Sequence, residues 1–494
     1  MMLAYEIEEA LFAMTQKKFQ ALLEKLPELI EGKNLTRLEQ LIEKEGREIL
    51  RTLLEECIRM QGLGKVEGSV IGKDEIARTH QRVRSKIVTT VFGDVEIDRI
   101  IYSYPECESL SPKEATLNLP FNSYSHELAK RVAKEAAKGS FQQAIESIKE
   151  YTGVEVPKRQ AEEIIIQSAR DFRNFYEQNA CKIDGEENLE LLILSTDGKG
   201  IVVRKEDLRE QTKKRAEEEK KLKKRLTKGE KKNAKRMAQV ASVYNIARHV
   251  RNAEEIVSGD KNKAAPKPQG KRVWASIVEN QDRVIEDMFN EAVKRDPNGL
   301  KEWVILVDGG PHQLKQIQKQ LKKRKLNSSI VVDLIHVLEY LWKASCDFYP
   351  EGSKQGEEWV NKQLFMVLSG NASRVAAGIK RSATCKNLSK REGVETCARY
   401  LCKYAPYLRY QEYLKKGWPI ATGIIEGACR HLIKDRMDIT GARWSLSGAE
   451  AILQLRSICS SGDWEEYWGY HETQEYQRNH TDLYANPEIL QPLN

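Results

Sequence analysis

Hydrophobic positions in this chain switch between helical and strand periods, and the switches mark its elements. From residue 1 to about 60 the spacing is helical. Leu38, Leu41, Ile42, Ile49, Leu50, Leu53 and Leu54 share one stripe, which predicts a helix that packs or oligomerises. A glycine-rich link from Gln61 to Gly72 follows. Residues 84 to 104 are rich in β-branched and aromatic side chains around Gly93-Asp94, which predicts a β-hairpin, and a proline-punctuated loop runs on to about Asn122. From Ser125 to about Tyr176 the helical period returns. A helix, a break at Thr152-Gly153 and a second helix opening at Pro157 read as a helix-turn-helix. Lys158, Arg159 and Gln160 occupy the first turn of that second helix, the part that reaches base edges in such motifs. An ordinary helical hairpin has the same pattern.

The second half alternates strand with helix. Leu189 to Thr196 is an apolar run that ends in Asp197-Gly198-Lys199-Gly200, and Ile201 to Val203 continue as strand. Met237 to Ile246 and Arg272 to Val278 are further strand candidates, and Arg283 to Arg295 is a helix. Trp303 to Val307 ends in Asp308-Gly309-Gly310. Pro311 then opens a helix with Leu314, Ile317 and Leu321 on one face. Ile330 to Val332 ends in Asp333 and turns into another helix. Glu357 to Tyr410 is helical with no strand signal, as Val367, Ala372, Val375 and Ile379 recur. After the break at Trp418-Pro419, a helix from about Gly423 carries Glu426. The remaining residues, polar and aromatic, are expected to form a loosely packed tail.

Composition narrows the class. With 40% apolar and 31% charged residues and no apolar run of membrane-spanning length, a soluble cytoplasmic protein is expected. The acidic, amphipathic N-terminus does not read as a signal peptide. The nine cysteines are scattered without a CxxC pair and are expected to be reduced thiols. Net charge is +8, and it is uneven: residues 204 to 236 hold 16 basic and 7 acidic side chains, a net of +9, so the rest of the chain carries about −1. That segment fits a solvated helix or, given its sign, an arm for a polyanion such as DNA.

Functional groups in α/β sheets collect beyond the carboxyl ends of strands. Asp197 and Asp308 end strands, and Glu426 lies early in a late helix. Their separations are 111 and 118 residues (308 − 197 and 426 − 308), leaving room for the basic arm and a helical insertion. Two or three carboxylates suit Mg²⁺, and a pair of such ions supports phosphodiester cleavage. Each acid also has a plainer reading. Asp-Gly after a strand is common turn chemistry, and Glu426 is placed to pair with Arg430. Asp333 and His336 fit a helix N-cap with its hydrogen-bonded histidine, or a support beside a metal site. Arg430, Lys434, Arg436 and Arg443, with Trp444, suit contact to phosphates and bases, or salt bridges to Asp435 and Asp438.

Several stretches resemble a known family. STDGKGIVVR, LTKGEKKNAKRMAQVASVY, WVILVDG, VVDLIHVLEYLWKA and GWPIATGIIEGACRHLIKDRMDITGARWSLSGAEAILQLR, which cover most of residues 190 to 460, are similar to bacterial insertion-sequence DDE transposases of the Kra-four group. The order of elements is also similar to that of Mutator-like transposases, whose Cys/Asp-x-x-His motif matches Asp333-Leu334-Ile335-His336. The resemblance implies an α/β RNase H-like catalytic core with an all-helical insertion before the last acid. A mainly helical N-terminal region, with a hairpin and a helix-turn-helix-like segment, would precede it. It puts the acidic triad on Asp197, Asp308 and Glu426, with Glu450 arguable for the third, and Asp333 and His336 as auxiliaries. It further implies two Mg²⁺ or Mn²⁺ ions, double-stranded DNA as element ends and target, and a homo-oligomer on DNA. Related transposases can carry a Cys-rich zinc element near the hairpin, but here only Cys107 remains, so no zinc is expected; nor, without a spanning apolar run, is a membrane.

The expected domains are 1–72 (helical), 73–122 (hairpin and loop), 123–185 (DNA-binding), 186–352 (core, with arm 204–236), 353–415 (insertion), 416–462 (core, with the Glu helix) and 463–494 (tail). The expected DNA contacts are Lys158, Arg159, Lys199, Arg430, Lys434, Arg436, Arg443 and Trp444. The function so implied is metal-dependent DNA cleavage and strand transfer by a nucleoid-associated enzyme. A nuclease of the same core that does not join strands, and a non-catalytic helix-turn-helix regulator, are the competing readings.

Overall fold

The computed structural model describes residues 12–179, 189–219, 227–259, 264–439 and 441–490. The chain forms two compact units, Met1–Phe175 with Trp464–Asn494, and Tyr176–Asp463.

In the first unit, helices Ala13–Ile30 and Leu35–Met60 form an antiparallel pair. The Asn34 side chain caps the second. The first helix is held at its start by Glu56, whose carboxylate accepts the backbone N–H groups of Met14 and Thr15, each at 3.0 Å. Strands β1 (His80–Thr90) and β2 (Gly93–Ser103) make the hairpin. Its turn falls at Val91-Phe92, earlier than the expected Gly93-Asp94. Thr90 pairs with Gly93, and Gly93 takes the positive φ just past the turn. One face of the hairpin, Val88, Val95 and Ile97, packs with Leu119 against Leu54 and Ile58.

Helices His126–Lys138, Phe141–Thr152 and Lys158–Ala169 surround Leu128, Val132, Ile148, Val154, Val156 and Ile164. Gly153, at φ 73°, ends the middle helix in a left-handed cap. Pro157 is the N-cap of the next helix rather than its first residue, and Lys158 and Arg159 are exposed.

The expected loose tail is instead a packed helix, Trp464–Asn479, with Trp464, Tyr467, Trp468, His471 and Glu475 buried. These five fall on one helical face, so a polar average concealed an aromatic stripe. The Tyr467 hydroxyl donates to the Ser168 carbonyl at 2.6 Å and fixes this helix within the unit.

The second unit is built on a five-stranded sheet in the order β5-β4-β3-β6-β7. These strands are β3 (Leu191–Val202), β4 (Lys235–Ile246), β5 (Gln269–Ser276), β6 (Glu302–Val307) and β7 (Ser329–Val332). Strands β3, β4 and β5 are antiparallel neighbours, whereas β6 and β7 run parallel to β3. The central β3 and β6 are apolar on both faces, with Leu191 to Leu194 and Val304 to Val307 at 0–1% exposure, as a sheet covered on both sides requires.

The glycine-containing stretch after Thr196 is not a loop. β3 continues through Asp197, Gly198, Lys199 and Gly200, paired with β4. The basic arm holds short helices Glu210–Glu218 and Lys228–Asn233, with no buried residue in either, and its residues 220–226 lie outside those described. The insertion comprises helices Lys354–Leu368, Ala372–Cys385 and Glu392–Tyr404, packed through Val360, Leu364, Val375, Ile379, Val394 and Leu401.

Candidate active site

Strand register brings the acids together. The parallel pairing of β3 with β6 ends at Ser195 opposite Leu306, so two residues further on Asp197 faces Asp308. β6 and β7 pair up to Val307 opposite Val332, and the Asp333 N–H donates to the Val307 carbonyl at 2.9 Å, so Asp333 stands next to Asp308. Asp308 and Asp333 therefore follow the carboxyl ends of β6 and β7, and Asp197 lies beside Asp308 within β3, which runs on to Val202. The fourth acid, Glu426, comes from helix Gly423–Ala428. Thr422 ties that helix in: its N–H donates to Asp333 Oδ1 at 2.9 Å, and its hydroxyl lies 3.2 Å from Glu426 Oε1.

Each side chain has a distinct environment. Asp197 Oδ1 accepts the Gly198 N–H at 2.6 Å, and Oδ2 accepts the Cys429 thiol at 3.1 Å. Asp308 lies beside Asp197 on the neighbouring strand. Its carboxyl is pushed up to about 7, first by burial and then by the neighbouring Asp197 charge, against the pull of His336. Asp333 is fully buried and caps helix Leu334–Phe348, accepting the His336 N–H at 3.2 Å and the His336 Nδ1 at 2.9 Å on one oxygen. Its other oxygen accepts the Thr422 N–H.

His336 is therefore both capped and site-facing. Its Nδ1 is 3.9 Å from Asp308 Oδ1, and its pKa rises to about 9, chiefly through the bond to Asp333. Asp333, His336 and Glu426 offer ligand atoms within 4.8 Å of one another. Among the described residues, no lysine or arginine forms an ion pair with Asp197, Asp308, Asp333 or Glu426. A crowded set of carboxylates with one of them half-neutralised at neutral pH is a donor set that fits a divalent cation. Both oxygens of Asp197 and of Asp333 already accept a hydrogen bond, whereas Glu426 has only Oε1 engaged, by the Thr422 hydroxyl.

Other sequence candidates separate by exposure. Glu450 is spent elsewhere: its carboxylate accepts the Ser276 hydroxyl and the Ile277 N–H, both at 2.8 Å, and so caps the end of β5. Lys199, Arg430, Lys434 and Arg443 are exposed, and Arg430 lies 3.7 Å from Asp435 rather than pairing with Glu426. Arg436 and Trp444 are corrections. They are 3% and 6% exposed, with the guanidinium 4.7 Å from the indole centroid and the indole N–H donating to the Met437 carbonyl. Such a buried stack leaves neither free for DNA. It is a packing contact, and burial lowers the arginine to about 10.

Sequence reasoning missed Cys429, which reaches Asp197 from the π-helical turn Cys429–Lys434 just after Glu426. Only its spacing from Glu426 hinted at it. A second group, Asp171, His471 and Glu475, was also invisible because 300 residues separate Asp171 from His471. There the carboxylates pair with Arg170 and Arg478, so the cluster is already neutralised.

No family model matches the chain, and no curated protein matches it. Among solved structures, the chain is similar to a Drosophila P element transposase strand transfer complex, with 9% identity, 74% of this chain and 82% of that chain covered, and a TM-score of 0.21. A TM-score of 0.21 is too low for that likeness to bear on the activity of this chain.

Proposed function

We propose that this chain is a DDE-type DNA transposase. In this reading Asp197, Asp308 and Glu426 hold divalent metal, two Mg²⁺ or Mn²⁺ ions, for cleavage at element ends and strand transfer into target DNA. The observation that carries it is the placement of the Asp197 and Asp308 carboxyls side by side on the adjacent strands β3 and β6, with, among the described residues, no lysine or arginine paired with either. The antiparallel β3-β4-β5 meander followed by parallel β6 and β7 supports an RNase H-like core, and the quoted sequence stretches support the Kra-four group with a Mutator-like order.

Bound at these acids, divalent metal supplies an activated water and stabilises the leaving oxygen in phosphodiester cleavage. The chain's own residues do the rest. The Gly198 N–H and the Cys429 thiol fix the two oxygens of Asp197. Asp333 holds His336 so that its ring carries positive charge beside Asp308. Exposed Lys158, Arg159, Lys199, Arg430, Lys434 and Arg443 neutralise DNA phosphates. Exposed Phe19, Leu23, Ile42 and Leu50 on the N-terminal helix pair support a homo-oligomer.

The test is a cleavage and strand-transfer assay with Mn²⁺ and DNA carrying the sequences that flank this reading frame, including pre-cut ends. Expected are cleavage and a joined product, with both lost in Asp308→Asn while DNA binding persists. Cleavage without joining identifies the nuclease instead. Full function in Asp308→Asn identifies the non-catalytic regulator.

A further inference from the structure

Three tyrosines of the helical insertion share one arrangement. Tyr400 and Tyr404 lie on helix Glu392–Tyr404, and Tyr410 opens the short helix Tyr410–Lys415. Each hydroxyl donates to a backbone carbonyl at the carboxyl end of β6 or β7. Tyr400 reaches the Asp308 carbonyl at 3.3 Å, Tyr404 the Gly309 carbonyl, and Tyr410 the Val332 carbonyl at 2.7 Å. The acceptors are therefore the backbone of Asp308 itself, the residue after it, and the residue before Asp333. All three rings are buried, at 8%, 5% and 0% exposure. Tyr340, one turn beyond His336, stacks on Tyr400 with centroids 4.0 Å apart, and Tyr400 packs on Tyr404 at 4.7 Å.

Gly309 completes the contact. It holds φ 92°, and a Cβ there would lie 3.1 Å from the Tyr404 ring. The loop after β6 has left its strand ladder and not yet entered the next helix, so its carbonyls lack partners of their own kind. A hydroxyl from a rigid aromatic side chain fixes such a carbonyl, and with it the direction of the side chain on the same residue.

We propose that the helical insertion is a positioning clamp for the acidic site: Tyr400, Tyr404 and Tyr410 set the backbone that aims Asp308 at Asp197 and seats Asp333 under His336. The tyrosines touch no reacting atom; they act through the backbone of the acids. The clamp's effect on metal rests on the reading that Asp308 holds a divalent cation, whereas its effect on loop order does not. Partners of this indirect kind are commonly worth about 10- to 100-fold in metal affinity.

The experiment compares full-length wild type with Tyr400→Phe, Tyr404→Phe and Tyr410→Phe, which keep the rings and remove only the hydroxyls. Tyr407→Phe serves as control, because its hydroxyl accepts from Gln318 at 2.7 Å and touches neither strand end. Mn²⁺ titration followed by electron paramagnetic resonance gives binding, and hydrogen exchange over residues 303–312 gives loop order. Expected are about a tenfold rise in half-saturating Mn²⁺ for Tyr400→Phe and Tyr404→Phe, and faster exchange in 303–312, with wild-type values for Tyr407→Phe and melting temperatures close to wild type. Unchanged exchange in 303–312 for both Tyr400→Phe and Tyr404→Phe overturns the clamp, whatever the metal result. If exchange quickens but wild type and Asp308→Asn alike bind no Mn²⁺, the clamp stands and the metal reading of the site falls. Should Tyr404→Phe not fold, Tyr400→Phe, which keeps the same stack, decides the outcome.

Discussion

Two clusters in this protein have nearly the same ingredients and opposite electrostatics. In the first unit, Asp171, His471 and Glu475 lie within 4.8 Å of one another, and Arg170 and Arg478 pair with the two carboxylates. In the second unit, Asp333, His336 and Glu426 meet at the same spacing, with Asp197 and Asp308 beside them and no arginine or lysine pairing with any of these acids among the described residues. The carboxyl responses follow. Asp171 is held below its usual range, its bonds to His471 and Arg478 outweighing its burial, whereas Asp308 is pushed up to about 7. Residue types alone do not make a metal site. What separates the two is whether cationic side chains already satisfy the negative charge.

That comparison is open to direct attack. The largest effect is expected at Asp308: Asp308→Asn should lower cleavage by at least about a thousandfold while leaving the melting temperature unchanged or higher, because one of two crowded half-buried acids is removed. Asp171→Asn should do the reverse. It leaves Arg478 with Glu475 as its charged partner, takes the buried carboxylate from His471, and should cost about 3 kcal/mol of stability in urea unfolding. Equal stability losses in the two variants would erase the distinction between a strained site and a satisfied one.

Acid should then weaken the first unit through His126. Burial, then the proximity of His471, lowers its pKa to about 4. The unfolded chain takes up the proton near pH 6.5 and the folded one only near 4, so stability should fall by roughly 3 kcal/mol as pH drops through that window. His126→Phe should flatten this limb of the stability profile; a profile identical to wild type would locate the effect elsewhere. The smallest change is expected at the surface. Lys434→Ala, at an exposed position, should weaken DNA binding for all sequences and reduce the salt slope by about 1, whereas Arg436→Ala should lower stability instead.

Much of the second unit is legible in its sequence. Apolar runs ending in Asp197, Asp308 and Asp333 predict strands with acids at their carboxyl ends; that holds for β6 and β7, whereas β3 runs on past Asp197, and the register of the three strands aligns the acids. The Asp333 N-cap with His336 follows from three-residue spacing, which is local chemistry. Exposure was less legible. Arg436 and Trp444 read as a DNA contact because basic and aromatic residues near an acid suit both DNA and a buried stack; only neighbouring elements distinguish them. The C-terminal helix resembles a loose tail in sequence because its buried stripe is aromatic within a polar stretch.

The sequence by itself determined the alternation of strand and helix, the acids that follow β6 and β7 and the sign of the basic arm, because period, turn residues and charge act over a few neighbouring positions. The tertiary structure alone decided that Cys429 bonds to Asp197, that Glu450 caps β5, that three insertion tyrosines grip the carbonyls beside Asp308 and Asp333, and that arginines neutralise one acidic cluster and not the other. Those partners lie tens to hundreds of residues apart. Packing selects them through shape and desolvation, neither of which is written at any single position.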